Sequence, residues 1–124
     1  MAATRWGFVQ GMTKNIYRPM MAAKEPIMKF KSGQFQSGQI VMTRGVNDLV
    51  ADNGKFAAHV YQSLKRHLAG DWGDVCAEDK MANESALRRG DRIMSVYKND
   101  RLPVVWVITE WNRSATTILL PEEY

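Results

Sequence analysis

Between Arg92 and Leu120 the chain carries three β-patterned stretches, residues 92–98, 104–110 and 115–120, separated only by the turn signals Asn99-Asp100 and Asn112-Arg113. Connections this short let successive strands pair only antiparallel. In the middle stretch Val104, Trp106 and Ile108 alternate with Val105 and Val107, so both faces are apolar. Such a strand belongs inside a sheet that helices cover on at least one side.

The preceding sequence supplies those helices. Gln39-Ile40-Val41-Met42-Thr43 reads as a short strand, after which Thr43 can cap a helical turn bearing Val46, Leu49 and Val50, ended by Asn53-Gly54. Residues 55–68 give the clearest helical period, with Phe56, Ala57, Val60, Tyr61, Leu64 and Leu68 on one stripe and Gly70 as a left-handed stop. Asp74 or Cys76 opens a weaker helix through Met81, Ala82 and Leu87, closed at Gly90, with Arg88 and Arg89 suited to the negative end of its dipole. The expectation is a single α+β domain over residues 34–124: a short N-terminal strand, two to three helices, then a three-stranded antiparallel meander, with the helices on one face of a four-stranded sheet.

Charge divides the chain unevenly. Residues 1–33 hold six of the 17 Lys and Arg but one of the 13 acidic residues, a net +5 that leaves the remainder at −1. The basic character therefore belongs to an N-terminal segment that reads as a flexible arm on composition. Five of the eight methionines also fall in its first 28 residues, the pattern left by an early start codon. Arg5, Trp6, Phe8, Tyr17 and Arg18 offer a basic-aromatic clamp, so nucleic-acid binding through the arm is one functional alternative. A single cysteine, Cys76, excludes an internal disulfide and Cys-rich zinc motifs and points to the reducing cytoplasm. No run approaches the ~18–20 apolar residues of a membrane span.

The densest chemistry lies in Ala69-Gly70-Asp71-Trp72-Gly73-Asp74, with His67 before it and Glu78 and Asp79 after. His67, Asp71, Asp74 and Asp79 have the donor types for a divalent metal, so a metal-dependent hydrolase or nuclease is a second alternative. Asp71 and Asp74 are equally ordinary turn and cap residues, and His67 suits a helix end. Trp72 either lids the core or stands out as a partner anchor. Trp111 and Arg113, at a hairpin end, are further binding candidates. No Gly-Lys-Ser/Thr phosphate loop or nucleophile elbow occurs, and Asp74 and Glu78 disfavour a thiolate at Cys76, so neither that class of nucleotide hydrolase nor a covalent hydrolase is expected.

Several of these residues also carry a resemblance. His67-Leu68-Ala69-Gly70-Asp71-Trp72-Gly73, Asp79 and Asn83, the strands from Arg92 and Trp106, and the ending Arg113-Ser114-Ala115-Thr116-Thr117-Ile118-Leu119-Leu120-Pro121-Glu122-Glu123-Tyr124 resemble a family of short bacterial proteins of plasmids, phages and integrative elements that generally carry no assigned function. The resemblance covers residues 34–124 and implies a mobile-element accessory protein. It further implies a non-enzymatic inhibitor of a host defence system, of anti-CRISPR or antirestriction type, without cofactor, binding a host protein or ribonucleoprotein complex. Asp71, Trp72, Asp74, Asp79, Trp111 and Arg113 would form its docking surface. His67, Asp71, Asp79, Asn83, Arg92, Glu110, Arg113 and Glu123 form either one surface site or an internal hydrogen-bond network.

Overall fold

The structure, a computed structural model, describes residues 35–124 together with the backbone of Ile16–Pro19. Strands β1 (Ile16–Pro19), β2 (Gln39–Thr43), β3 (Ile93–Asn99), β4 (Leu102–Thr109) and β5 (Ala115–Leu119) form one sheet in the order β1-β2-β5-β4-β3. Helices α1 (Arg44–Asp52), α2 (Gly54–Leu68) and α3 (Ala77–Arg89) fill the connection from β2 to β3, and a 3-10 turn, Pro121–Glu123, follows β5. The architecture is mixed α+β, and β3, β4 and β5 make the antiparallel meander that their short turns require.

Two features of the sheet go beyond the sequence pattern. β2 lies parallel to β5, with Gln39 opposite Ala115 and Met42 opposite Ile118, so the helical connection acts as a crossover. β1 adds a fifth strand antiparallel to β2, drawn from the segment read as an arm. Residues 1–15 and 20–34, and the side chains invoked for the basic-aromatic clamp, lie outside the described residues.

The helix boundaries follow local chemistry. Thr43 Oγ1 accepts from the Val46 N–H, and Asn53 Oδ1 accepts from the N–H groups of Lys55 and Phe56 at 2.9 and 3.1 Å, supplying partners that helix starts lack. Gly70, at φ 86°, turns the chain after α2 while the Asp71 N–H reaches back to the Arg66 carbonyl at 2.8 Å. α3 starts after Cys76 with Glu78 and Asp79 in its first turn and Arg88 and Arg89 in its last, the arrangement its dipole favours.

One sheet face carries Ile40, Met42, Ile118, Val107, Val105 and Tyr97, which pack under Val46 of α1 and Phe56, Val60, Leu64 and Leu68 of α2. Each such side chain, when fully buried, contributes about 1.5–3 kcal/mol. At the β3 end, Ala86 of α3 joins Ile93 and Trp72. On the opposite face Ile108 and Leu119 are covered by Met94, Trp106 and Tyr124. Glu123 then ties the end of β5 to α1: its carboxylate accepts from the N–H groups of Gly45 at 2.8 Å and Leu120 at 3.0 Å and from the Thr43 hydroxyl. Tyr124 packs edge-on to Trp106, ring centres 5.3 Å apart, and its hydroxyl accepts from Arg92 at 2.9 Å. The distinctive ending of the chain is thus a clasp. Among the described residues no helix is long and apolar enough to cross a membrane.

Candidate functional site

The Asp-Trp-Gly-Asp bend runs along the outer edge of β3 and completes its hydrogen bonding. The Val96 N–H donates to the Trp72 carbonyl at 3.3 Å, the Asp74 N–H donates to the Val96 carbonyl at 2.6 Å, and the Lys98 N–H donates to Asp74 Oδ2 at 2.9 Å. One step earlier, Asn83 imitates a neighbouring strand: its Oδ1 accepts from the Met94 N–H at 3.2 Å and its Nδ2 donates to the Met94 carbonyl at 2.8 Å. An exposed edge is thereby closed to further strands. Gly73 sits at φ 75°, and a Cβ there would overlap the Val96 carbonyl oxygen, so only glycine permits this close approach.

Trp72 is 4% exposed. Its ring lies between Phe35, 6.2 Å away and nearly parallel, and His67, 5.9 Å away and edge-on, while Nε1 donates to Glu84 at 2.8 Å. This corrects the expectation of a protruding docking residue: the indole lids the core. Asp71 accepts a two-pronged pair of bonds from Arg66 at 2.8 and 3.1 Å, which holds its carboxyl below the usual range. Its carbonyl accepts from the Tyr97 hydroxyl at 2.6 Å. Asp79 is exposed on the first turn of α3.

His67 is fully buried and points away from these carboxylates. Nδ1 lies 2.6 Å from Ser95 Oγ and Nε2 2.8 Å from Thr109 Oγ1; Thr109 bonds Thr116 at 2.7 Å, and Thr116 donates to the Ser37 carbonyl at 2.7 Å. Burial, reinforced by the charge of Arg113, pushes the imidazole down to about 3, so it stays neutral in ordinary buffers. Both ring nitrogens are occupied, and among the described residues no three His, Cys, Asp or Glu groups are placed to hold a metal ion. The alternative of a metal cluster from the donor types of His67, Asp71, Asp74 and Asp79 is therefore corrected: one member faces the interior, and two are engaged in the bend.

At the β4–β5 turn, Trp111 is 55% exposed. Arg113, beside it at φ 60°, donates to the carbonyls of Asp91 at 2.7 Å, Glu110 at 3.1 Å and Ala86 at 3.0 Å. It thus satisfies carbonyls at the C-terminus of α3 and pins the hairpin to that helix. Glu110 is buried, which raises its carboxyl above the ordinary value. Of the polar pattern carried by the resemblance, His67, Asn83, Arg92, Arg113 and Glu123 make structural bonds at different places in the fold; they do not share a surface site.

A concave surface lies elsewhere, between α2 and the β3–β4 turn. Lys55, His59, Gln62 and Arg66 recur at i, i+4, i+7 and i+11, within about 60° of one another around the helix. With Ser63 they face residues 98–102 across a cavity of about 450 Å³. Its lining carries four cations, Lys55, Arg66, Lys98 and Arg101, against one carboxylate, Asp100. Arg66 is partly neutralised by Asp71, whereas Lys55, Lys98 and Arg101 form no ion pair among the described residues. His59 is 6% exposed, and its Nε2 is sealed from solvent without a hydrogen-bond partner among the described residues. Burial lowers its basicity, opposed by the nearby carbonyls of Pro103 and Tyr97. The helical period alone places His59 toward the polar side of α2; the β3–β4 turn closing over that side is what buries it. The stripe of four polar residues was visible in the sequence as spacing, but not the turn that makes it a pocket.

Comparison of the chain with protein-family models, with curated proteins and with solved structures gives no match.

Proposed function

We propose that this protein is a non-enzymatic binding module that grips an anionic group of its partner in the pocket between α2 and the β3–β4 turn. The observation supporting this reading is the set of four cations, Lys55, Arg66, Lys98 and Arg101, that line one depression against a single carboxylate, Asp100. The candidates for acid-base chemistry support it from the other side. His67 and Ser95 are in the interior, and Asp71 and Asp74 are committed to holding the bend. The resemblance supplies the setting: an accessory protein of a mobile element whose partner is a host complex that processes nucleic acid, blocked in the manner of an anti-CRISPR or antirestriction factor. The docking surface is then basic and lies on α2, opposite in charge to the acidic bend first expected to serve.

Affinity capture from a bacterial lysate tests this directly, comparing the wild type with the paired variant Lys98→Glu and Arg101→Glu. The expected result is a nucleic-acid-processing complex retained by the wild type and lost from the variant. Equal capture by both proteins would remove the pocket from the interaction.

A further inference from the structure

Resting on that reading, the ligand class can be narrowed. We infer that the pocket binds a phosphate monoester carried on a sugar, such as the phosphate end of a single nucleotide. Three cations without ion pairs and a fourth shared with Asp71 offer more donors and positive charge than the two oxygens of a carboxylate engage. A phosphate monoester presents three terminal oxygens and close to two negative charges. The volume of about 450 Å³ suits a ligand of small-molecule size.

The lining also says what is not recognised. Its apolar residues are Ala58 and Leu102, and no Phe, Tyr or Trp lines the cavity, so there is no platform on which a base could stack. A strand held along its backbone would need cations spaced over several phosphates, whereas these converge on one depression. A phosphate on ribose, with the base outside, fits both conditions. The phosphate can come from a free nucleotide or sugar phosphate or from the 5′ end of a strand.

The full-length protein titrated by NMR at constant ionic strength separates these cases, using ribose 5-phosphate, ribose, and hexanucleotides with 5′-phosphate or 5′-hydroxyl ends. Ribose 5-phosphate is expected to shift the amides of residues 55–66 and 98–102, and ribose to leave them unmoved. Lys98→Ala and Arg101→Ala, both at exposed positions, are each expected to weaken binding about tenfold, as loss of a charge-assisted contact does, with the folded spectrum retained. A hexanucleotide that binds only when 5′-phosphorylated, and more tightly than ribose 5-phosphate, supports the strand end as the source. Ribose 5-phosphate binding as well as the phosphorylated hexanucleotide supports the free ester. Equal binding of both hexanucleotides, no response to ribose 5-phosphate, or no effect of either substitution overturns the assignment. A failed titration with lysate capture still dependent on Lys98 and Arg101 would sink the phosphate assignment alone. A successful titration without any captured complex would sink the partner reading alone.

Discussion

The bend after α2 and the pocket beside α2 are both rich in charged groups, yet they spend those groups in opposite ways. In the bend nearly every polar atom meets another part of the chain: Asp71 meets Arg66, Asp74 meets the Lys98 amide, and Trp72 meets Glu84. In the pocket Lys55, Lys98 and Arg101 meet no counter-charge among the described residues. Density of chemistry in sequence therefore does not by itself mark a binding surface, because the fold can use all of it internally. Groups paired within the chain stabilise the fold, whereas exposed cations without a counter-charge stay hydrated and open to a ligand.

The strongest challenge to this contrast is Trp72→Ala. If the indole is core, its removal costs about 3–5 kcal/mol in denaturant unfolding, the usual loss for a buried large aromatic. A docking tryptophan would give a shift within about 0.5 kcal/mol, typical of an exposed residue, and that outcome would restore the bend as a surface.

The interior histidine offers a second challenge, through pH. A buried imidazole with a folded value of about 3 and an unfolded value near 6.5 binds fewer protons folded than unfolded, so its stability contribution is complete above pH 6.5 and is lost as pH falls toward 3. The loss is about 1.4 kcal/mol per pH unit, roughly 3 kcal/mol by pH 4.5. His59, also lowered by burial, adds in the same direction. His67→Gln keeps a polar group between Ser95 and Thr109 but does not titrate, so its stability should fall less steeply over that window. A slope identical to the wild type would mean that His67 is already solvated.

Asn83→Ala comes next. It deprives both backbone groups of Met94 of their partner at the β3 edge, at a cost of about 2 kcal/mol. The opened edge should also raise self-association, read by light scattering. A protein that stays monomeric at high concentration would show that the bend alone protects β3.

The contrast also explains what the sequence could and could not convey. α2 and the meander were legible because Phe56, Val60 and Leu64, and Val105 and Val107, repeat with periods that belong to one element at a time. Gly70 and the Thr43 cap were legible for the same local reason. The parallel seat of β2 beside β5 was not, because pairing partners some 75 residues apart are chosen by the packed helices between them. Nor was the direction of Trp72: an indole in a turn is compatible with either side until β3 is in place to be capped. The pocket needed two such distant pieces, a helix stripe and the β3–β4 turn, and neither announces the other.

The smallest expected effect bears most closely on the pocket. Arg101 adopts φ 67°, a left-handed conformation that L side chains disfavour by about 1–2 kcal/mol, and there it contributes a cation to the cavity rim. Arg101→Gly relieves that strain but gives the unfolded chain extra freedom worth about 0.5–1 kcal/mol. The net gain in stability is a few tenths of a kcal/mol to about 1 kcal/mol, read as a small rise in Tm. If the arginine is kept for binding, the same substitution that steadies the fold must weaken ribose 5-phosphate, a trade of stability against function at one residue. A variant both more stable and equally able to bind would show that Arg101 merely tolerates its turn, and would leave the pocket resting on Lys55, Arg66 and Lys98.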